Sequence, residues 1–127
     1  MKVLLDTHAL IWFVEGVNRL SLKAKLTIED LENVRFVSIA SLWEIVIKSS
    51  LNKIEMKKSF EEINSLLFDN DIQILQINVD HLNTLLSIPH HHKDPFDRML
   101  IAQAIAENIS IISIDQQFKP YTVNVIW

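Results

Sequence analysis

"KVLLD", residues 2–6, is a continuous apolar run that ends in an acid. A strand covered on both faces reads this way, because neither set of alternating side chains meets water. "SIISID", residues 110–115, repeats the pattern, a buried strand with an acid beyond its end. "RFVSI" (35–39) and "IQILQI" (72–77) read as two further strands, and "TVNVIW" (122–127) alternates as an edge strand does. Helical patterns fill the intervals. "THALIWFVEG" (7–16) closes on Gly16, "SLKAKLTIEDLE" (21–32) starts from Ser21 as N-cap, and "ASLWEIVIKSSL" (40–51) is mostly apolar. A helix from Lys57 to Asn70 has Ser59 near its start, "NVDHLNTLLSI" (78–88) is capped at Asn78, and "DPFDRMLIAQAIAEN" (94–108) begins at Asp94. Strands separated by helices predict an α/β sandwich with a mainly parallel sheet.

The totals bound the class. At 127 residues the chain is read as one domain, 1–127, with 49% apolar and 22% charged residues, as in soluble globular proteins. No apolar run approaches the ~18 residues of a membrane span. Asp6 interrupts the first apolar run and no small-residue cleavage site follows, so no signal peptide is expected. With no cysteine there is neither a disulfide frame nor a thiolate zinc site, in keeping with a cytoplasmic protein. Gly16 is the single glycine, which excludes the common Gly-rich phosphate loops. The net charge of −4 means that a phosphate substrate would need local positive charge or bound cations.

Four acids are hard to dismiss. Pro95 suits the first helical position, which makes Asp94 the N-cap and Asp97 the third helical residue. Capping accounts fully for Asp94. Asp97 is different: Ile101 lies about 40° from it around the helix and Ala104 about 20°, so this carboxylate heads the apolar stripe. A carboxylate aimed at the core is costly unless something positive meets it. Asp6 and Asp115 each follow a strand, where parallel sheets bind ligands, although each would also serve as a cap. Glu44 sits in a helix of little polar surface, and an exposed ion pair with Lys48, four residues on, is the competing explanation. Two carboxylates ~4 Å apart repel by roughly 4 kcal/mol at an effective dielectric of about 20, so four gathered together would require cations. Oxygen ligands suit Mg²⁺ or Mn²⁺, and such an ion supports phosphodiester hydrolysis. Spacing alone does not bring the four together.

In "LLDTHALIW" (4–12), "VSIASLWEIVIK" (37–48), "HKDPFDRMLIAQA" (92–104), "ISIDQQF" (112–118) and the terminal "VNVIW" (123–127), the chain resembles the PIN-domain family and, within it, VapC-like toxins of toxin–antitoxin pairs. The resemblance implies a three-layer α/β/α sandwich and a metal-dependent endoribonuclease. It places the acidic site on Asp6, Glu44, Asp97 and Asp115, which would be both catalytic and ligands to Mg²⁺ or Mn²⁺. It adds the hydroxyls of Thr7 and Ser113, which also suit caps or turns. It further implies a homodimer, an RNA substrate and a cognate antitoxin whose C-terminal segment lies over the site. Ser113 stands where Thr is commoner in the family, and Asn108 where Gly is frequent; both keep what the position needs.

Other residues carry weaker expectations. His90, His91 and His92 lack zinc-like spacing and read as a solvated loop. His8 either touches the site or packs. Arg98 is available to a phosphate, a neighbouring acid or a structural ion pair. Lys48, Lys53, Lys57 and Lys58 form a basic segment, either the flank of an RNA groove or a solvated face. Trp12, Phe13, Trp43 and Phe96 are expected in the core. A phosphatase of the haloacid-dehalogenase type would want a second Asp where His8 stands, and a receiver domain adjacent acids after the first strand, which Asp6 lacks. A structure-specific DNA nuclease is the remaining alternative, disfavoured because a short chain has no helical insertions to grip a duplex.

Overall fold

The computed structural model describes residues 1–127. Five strands form one sheet: β1 (Lys2–Leu5), β2 (Val34–Ser38), β3 (Gln73–Leu75), β4 (Ser110–Ile112) and β5 (Val125–Ile126). Their order is β3-β2-β1-β4-β5, and every neighbouring pair is parallel. Six helices connect them: α1 (Thr7–Glu15), α2 (Leu22–Glu29), α3 (Ile39–Ser50), α4 (Phe60–Asp69), α5 (Val79–Ser87) and α6 (Pro95–Glu107).

Alternation along the strands divides the interior into two halves. Val3, Leu5, Val37, Ile112 and Ile126 point to one face, where they meet Leu10 and Val14 of α1, Ile28 of α2, Ile45 of α3 and Ile63 and Leu67 of α4. Leu4, Ile111, Phe36 and Val125 point to the other, against Leu100, Ile101 and Ala104 of α6 and Leu85 of α5. The result is the expected three-layer α/β/α sandwich. Both faces of the sheet are covered, which is why the strands read as unbroken apolar runs.

Local signals set most boundaries. Ser21, Ser59, Asn78 and Asp94 each accept a backbone N–H as N-cap, and Ser59 completes a capping box with Glu62. Gly16 (φ 67°) and Asn108 (φ 56°) end α1 and α6 in the left-handed conformation. Helix α2 stops at Glu29, three residues before its expected end, because Asp30 turns extended and its side chain accepts the Glu32 N–H. Residues 98–104 of α6 are buried in succession, since the helix lies between the sheet, α3 and α5.

This order places β1 at the centre, with the chain leaving it first toward β2 and later returning beside it as β4. Ligand sites in such sheets lie beyond the strand carboxyl ends where the order reverses. Asp6 follows β1 directly, Ser113 and Asp115 follow β4, α3 follows β2, and the first turn of α6 faces α3.

Candidate metal centre

Asp6 is 3% exposed and caps α1, its Oδ1 accepting the Ala9 N–H at 2.8 Å. Burial raises its pKa against the opposing pull of the Ser113 hydroxyl and the Ala9 N–H, and the Asp115 charge adds to the rise. Thr7, the first residue of α1, donates its hydroxyl to Glu44 Oε1 at 2.7 Å and lies 3.0 Å from Ser41 Oγ. A hydroxyl carries one proton, so Thr7 accepts from Ser41 while donating to Glu44. The other Glu44 oxygen pairs with Lys48. The ion pair expected at i, i+4 therefore forms, but Glu44 is 4% exposed and locked from two sides, unlike a solvated surface pair. The hydrogen bond to Glu44 raises the Lys48 pKa despite partial desolvation.

Asp97 is the third residue of α6 and Asp94 its N-cap, accepting the N–H groups of Phe96 and Asp97 at 2.8 and 3.1 Å. The Asp97 pKa is pushed up to about 8. Burial is the first cause, followed by the charges of Asp94, Asp6, Glu44 and Asp115. Asp115 starts a 3₁₀ turn at Gln116–Phe118, its Oδ1 accepting the Gln117 N–H at 2.9 Å. The Ser113 hydroxyl accepts the Asp115 N–H at 3.0 Å and so fixes the same turn. Five acids from four parts of the chain thus act on one another. Lys48 is the only lysine or arginine paired with any of them.

His92 stands between two of these acids. Its Nε2 lies 2.9 Å from Asp115 Oδ2 and 3.2 Å from Asp97 Oδ2, and oxygen and nitrogen atoms of the three residues fall within 4.8 Å of one another. The expectation of a solvated triplet holds for His90 and His91, which are exposed, and fails for His92, which is 5% exposed. The reason is tertiary: its ring packs edge-on against Phe118, and its N–H donates to the Tyr121 hydroxyl at 2.8 Å.

A model of the PIN domain family matches residues 3–123. The chain belongs to the PIN domain family. In fold it is similar to VapBC2 from Rickettsia felis bound to a DNA fragment from their promoter, with a TM-score of 0.73, 15% identity and coverage of 98% of this chain and 97% of that one. It is also similar to VapBC-1 from nontypeable Haemophilus influenzae (TM-score 0.67, 17% identity, 98% and 96% covered) and to a toxin–antitoxin complex from Klebsiella pneumoniae (0.66, 18%, 98% and 96%). No curated protein sequence matches the chain.

Other expected residues of this PIN domain are placed as follows. Arg98 is buried and pairs with no acid; its Nη1 donates to the Pro89 carbonyl at 2.9 Å, holding the loop that carries His92. Lys48 turns onto Glu44, while Lys53, Lys57 and Lys58 follow in the segment between α3 and α4. His8 is exposed and stacks near Trp12 (5.7 Å between centroids). Trp43 corrects the core expectation. It is 59% exposed, one position before Glu44, and meets the half-buried Phe96 edge-on at 5.4 Å. Trp12 and Phe13 are also only half-buried. Sequence reasoning missed His92, Ser41 and Tyr121. For His92 the available signal was its place two residues before the Asp94 cap; Ser41 lies one turn before Glu44 on α3.

Proposed function

We propose that this PIN domain is a Mg²⁺- or Mn²⁺-dependent endoribonuclease, the toxin of a toxin–antitoxin pair, with Asp6, Glu44, Asp97 and Asp115 as its working acids. The observation that carries the proposal is the convergence of these acids beyond the strand ends, where burial first and the neighbouring charges second raise Asp97 to about 8. Carboxylates held at such electrostatic cost beyond the strand ends are hard to explain as structural elements, and perturbed groups of this kind concentrate at functional sites.

The donor set fits a hard divalent cation. Asp6, Asp97 and Asp115 offer carboxylate oxygens, and Asp97 has no polar partner other than the His92 ring. Asp6, Asp97 and Asp115 would hold the cation, with Glu44 behind them, oriented by Thr7 and balanced by Lys48. When bound, the cation supplies Lewis acidity: it screens the acids, polarises phosphate oxygens and makes water a stronger nucleophile. The protein's own contribution is positional. Thr7 and Ser41 keep the Glu44 carboxylate in one rotamer, and Ser113 fixes the turn that presents Asp115. Asp97 carries a proton at neutral pH in the metal-free protein and would release it to water on holding a cation.

Several features support an RNA substrate. The acids lie near the exposed Trp43 ring, on which an unpaired base can stack, and the lysines after α3 can meet the backbone. The toxin–antitoxin complexes among the similar structures support a cognate antitoxin as partner; a homodimer and a cytoplasmic setting belong to the same proposal. The test is incubation of the purified, partner-free protein with RNA and with DNA, in Mg²⁺ or in EDTA, beside Asp97→Asn. The reading expects RNA cleavage that both EDTA and the substitution abolish. Cleavage indifferent to EDTA, or of duplex DNA alone, contradicts it.

A further inference from the structure

His92 is held more firmly than a loop histidine needs to be. Its Nδ1 accepts the Asp94 N–H at 3.2 Å. A ring nitrogen that accepts carries no proton, so the neutral ring bears its proton on Nε2. That N–H points at the acids, donating to Asp115 Oδ2 at 2.9 Å with Asp97 Oδ2 3.2 Å away. The loop is clamped as well. The Tyr121 hydroxyl accepts the His92 N–H and donates to the Pro89 carbonyl, both at 2.8 Å, and Arg98 donates to the same carbonyl. Backbone and ring are therefore fixed independently, from the turn after β4 and from α6.

We propose that His92 is a positioning residue of the acidic site, its Nε2–H setting the separation of the Asp97 and Asp115 carboxylates that receive the cation. The inference rests on the proposed metal site. With Nδ1 accepting, Nε2 has no lone pair for a metal, so the ring acts through the two carboxylates rather than as a ligand. The N–H donates to Asp115 Oδ2 and the same nitrogen stays 3.2 Å from Asp97 Oδ2, which fixes the spacing of the two side chains while leaving the Asp97 Oδ1 free. Hydrogen-bond partners of ligating carboxylates typically matter 10–100-fold in metal affinity. Gln reaches as far as the imidazole Nε2 and offers an N–H there; Leu fills similar space and offers none.

The experiment titrates Mn²⁺ into the full chain, reading free Mn²⁺ by electron paramagnetic resonance, for the wild type, His92→Gln and His92→Leu. Long-range ¹H–¹⁵N spectra of the metal-free wild type report the ring tautomer. Expected are an Nε2–H tautomer for His92, affinity ~10–100-fold weaker in His92→Leu, and recovery to within about threefold in His92→Gln. A ring protonated at Nδ1, or a His92→Leu protein that binds Mn²⁺ as well as or better than the wild type, overturns the role of His92 alone. A wild type that binds no Mn²⁺ overturns the metal reading together with it. Mn²⁺ binding without RNA cleavage counts only against the proposed nuclease.

Discussion

Replacing Asp97 by Asn should make the metal-free protein more stable, although it removes a residue assigned to the working site. With its pKa at about 8, Asp97 is protonated in the folded protein at pH 7, whereas in the unfolded chain it ionises near 3.8. Holding that proton across roughly three pH units costs about 4 kcal/mol at about 1.4 kcal/mol per unit. Two features reduce the figure: the side chain is 21% exposed, and the His92 Nε2 lies 3.2 Å away. About 2 kcal/mol is a reasonable net value, and for a domain of this size that corresponds to roughly 6–10 °C in Tm. The assay is thermal unfolding at pH 7 in EDTA, with and without the substitution, repeated in millimolar Mg²⁺. In EDTA the Asn variant should melt higher; in Mg²⁺ the gap should narrow or reverse, because only the wild type gains from cation binding. A variant that melts at or below the wild type in EDTA refutes the electrostatic reasoning, since Asn is close to Asp in size and shape.

Other expectations follow from the same geometry. The metal-free wild type should lose stability as pH rises from about 4 through 8: Asp97 has a raised folded pKa, so its contribution is complete below 3.8 and gone above about 8. Denaturant midpoints at pH 5.5 and 8.5 measure this, and equal midpoints contradict it. Trp43→Ala should weaken RNA binding about 5- to 150-fold, the ~1–3 kcal/mol of a base–aromatic stack, with Tm little changed because the ring is 59% exposed. Fluorescence anisotropy with a labelled single strand and a melting curve separate the two effects. Tyr121→Phe should cost ~1–3 kcal/mol in urea unfolding, because its hydroxyl serves both the His92 N–H and the Pro89 carbonyl.

The sandwich was legible because its signals are local. Unbroken apolar runs marked β1 and β4, and Ser21, Ser59, Asn78 and Asp94 announced their helices. "TVNVIW" was readable as an edge strand, but only Val125–Ile126 pairs, since β4 itself offers only three residues. Asp97 stood out because its helical angle puts a carboxylate on an apolar stripe. His92 did not, because its burial depends on Phe118 and Tyr121, more than twenty residues away. Trp43 misled for the reverse reason: helical spacing implies a core face, yet α3 turns that position outward beside the acids. Glu44 carried two readings, an ion pair with Lys48 and a place among the acids, and its contacts combine them.

The claim on which the account depends is that these acids gather to hold a divalent cation. Anomalous diffraction from crystals of the partner-free protein grown in millimolar Mn²⁺ tests it most directly. An anomalous peak bounded by the carboxylates of Asp6, Asp97 and Asp115 is expected, and it should vanish in Asp97→Asn. Mn²⁺ found only elsewhere on the surface, or no peak beside these acids at that concentration, would contradict it.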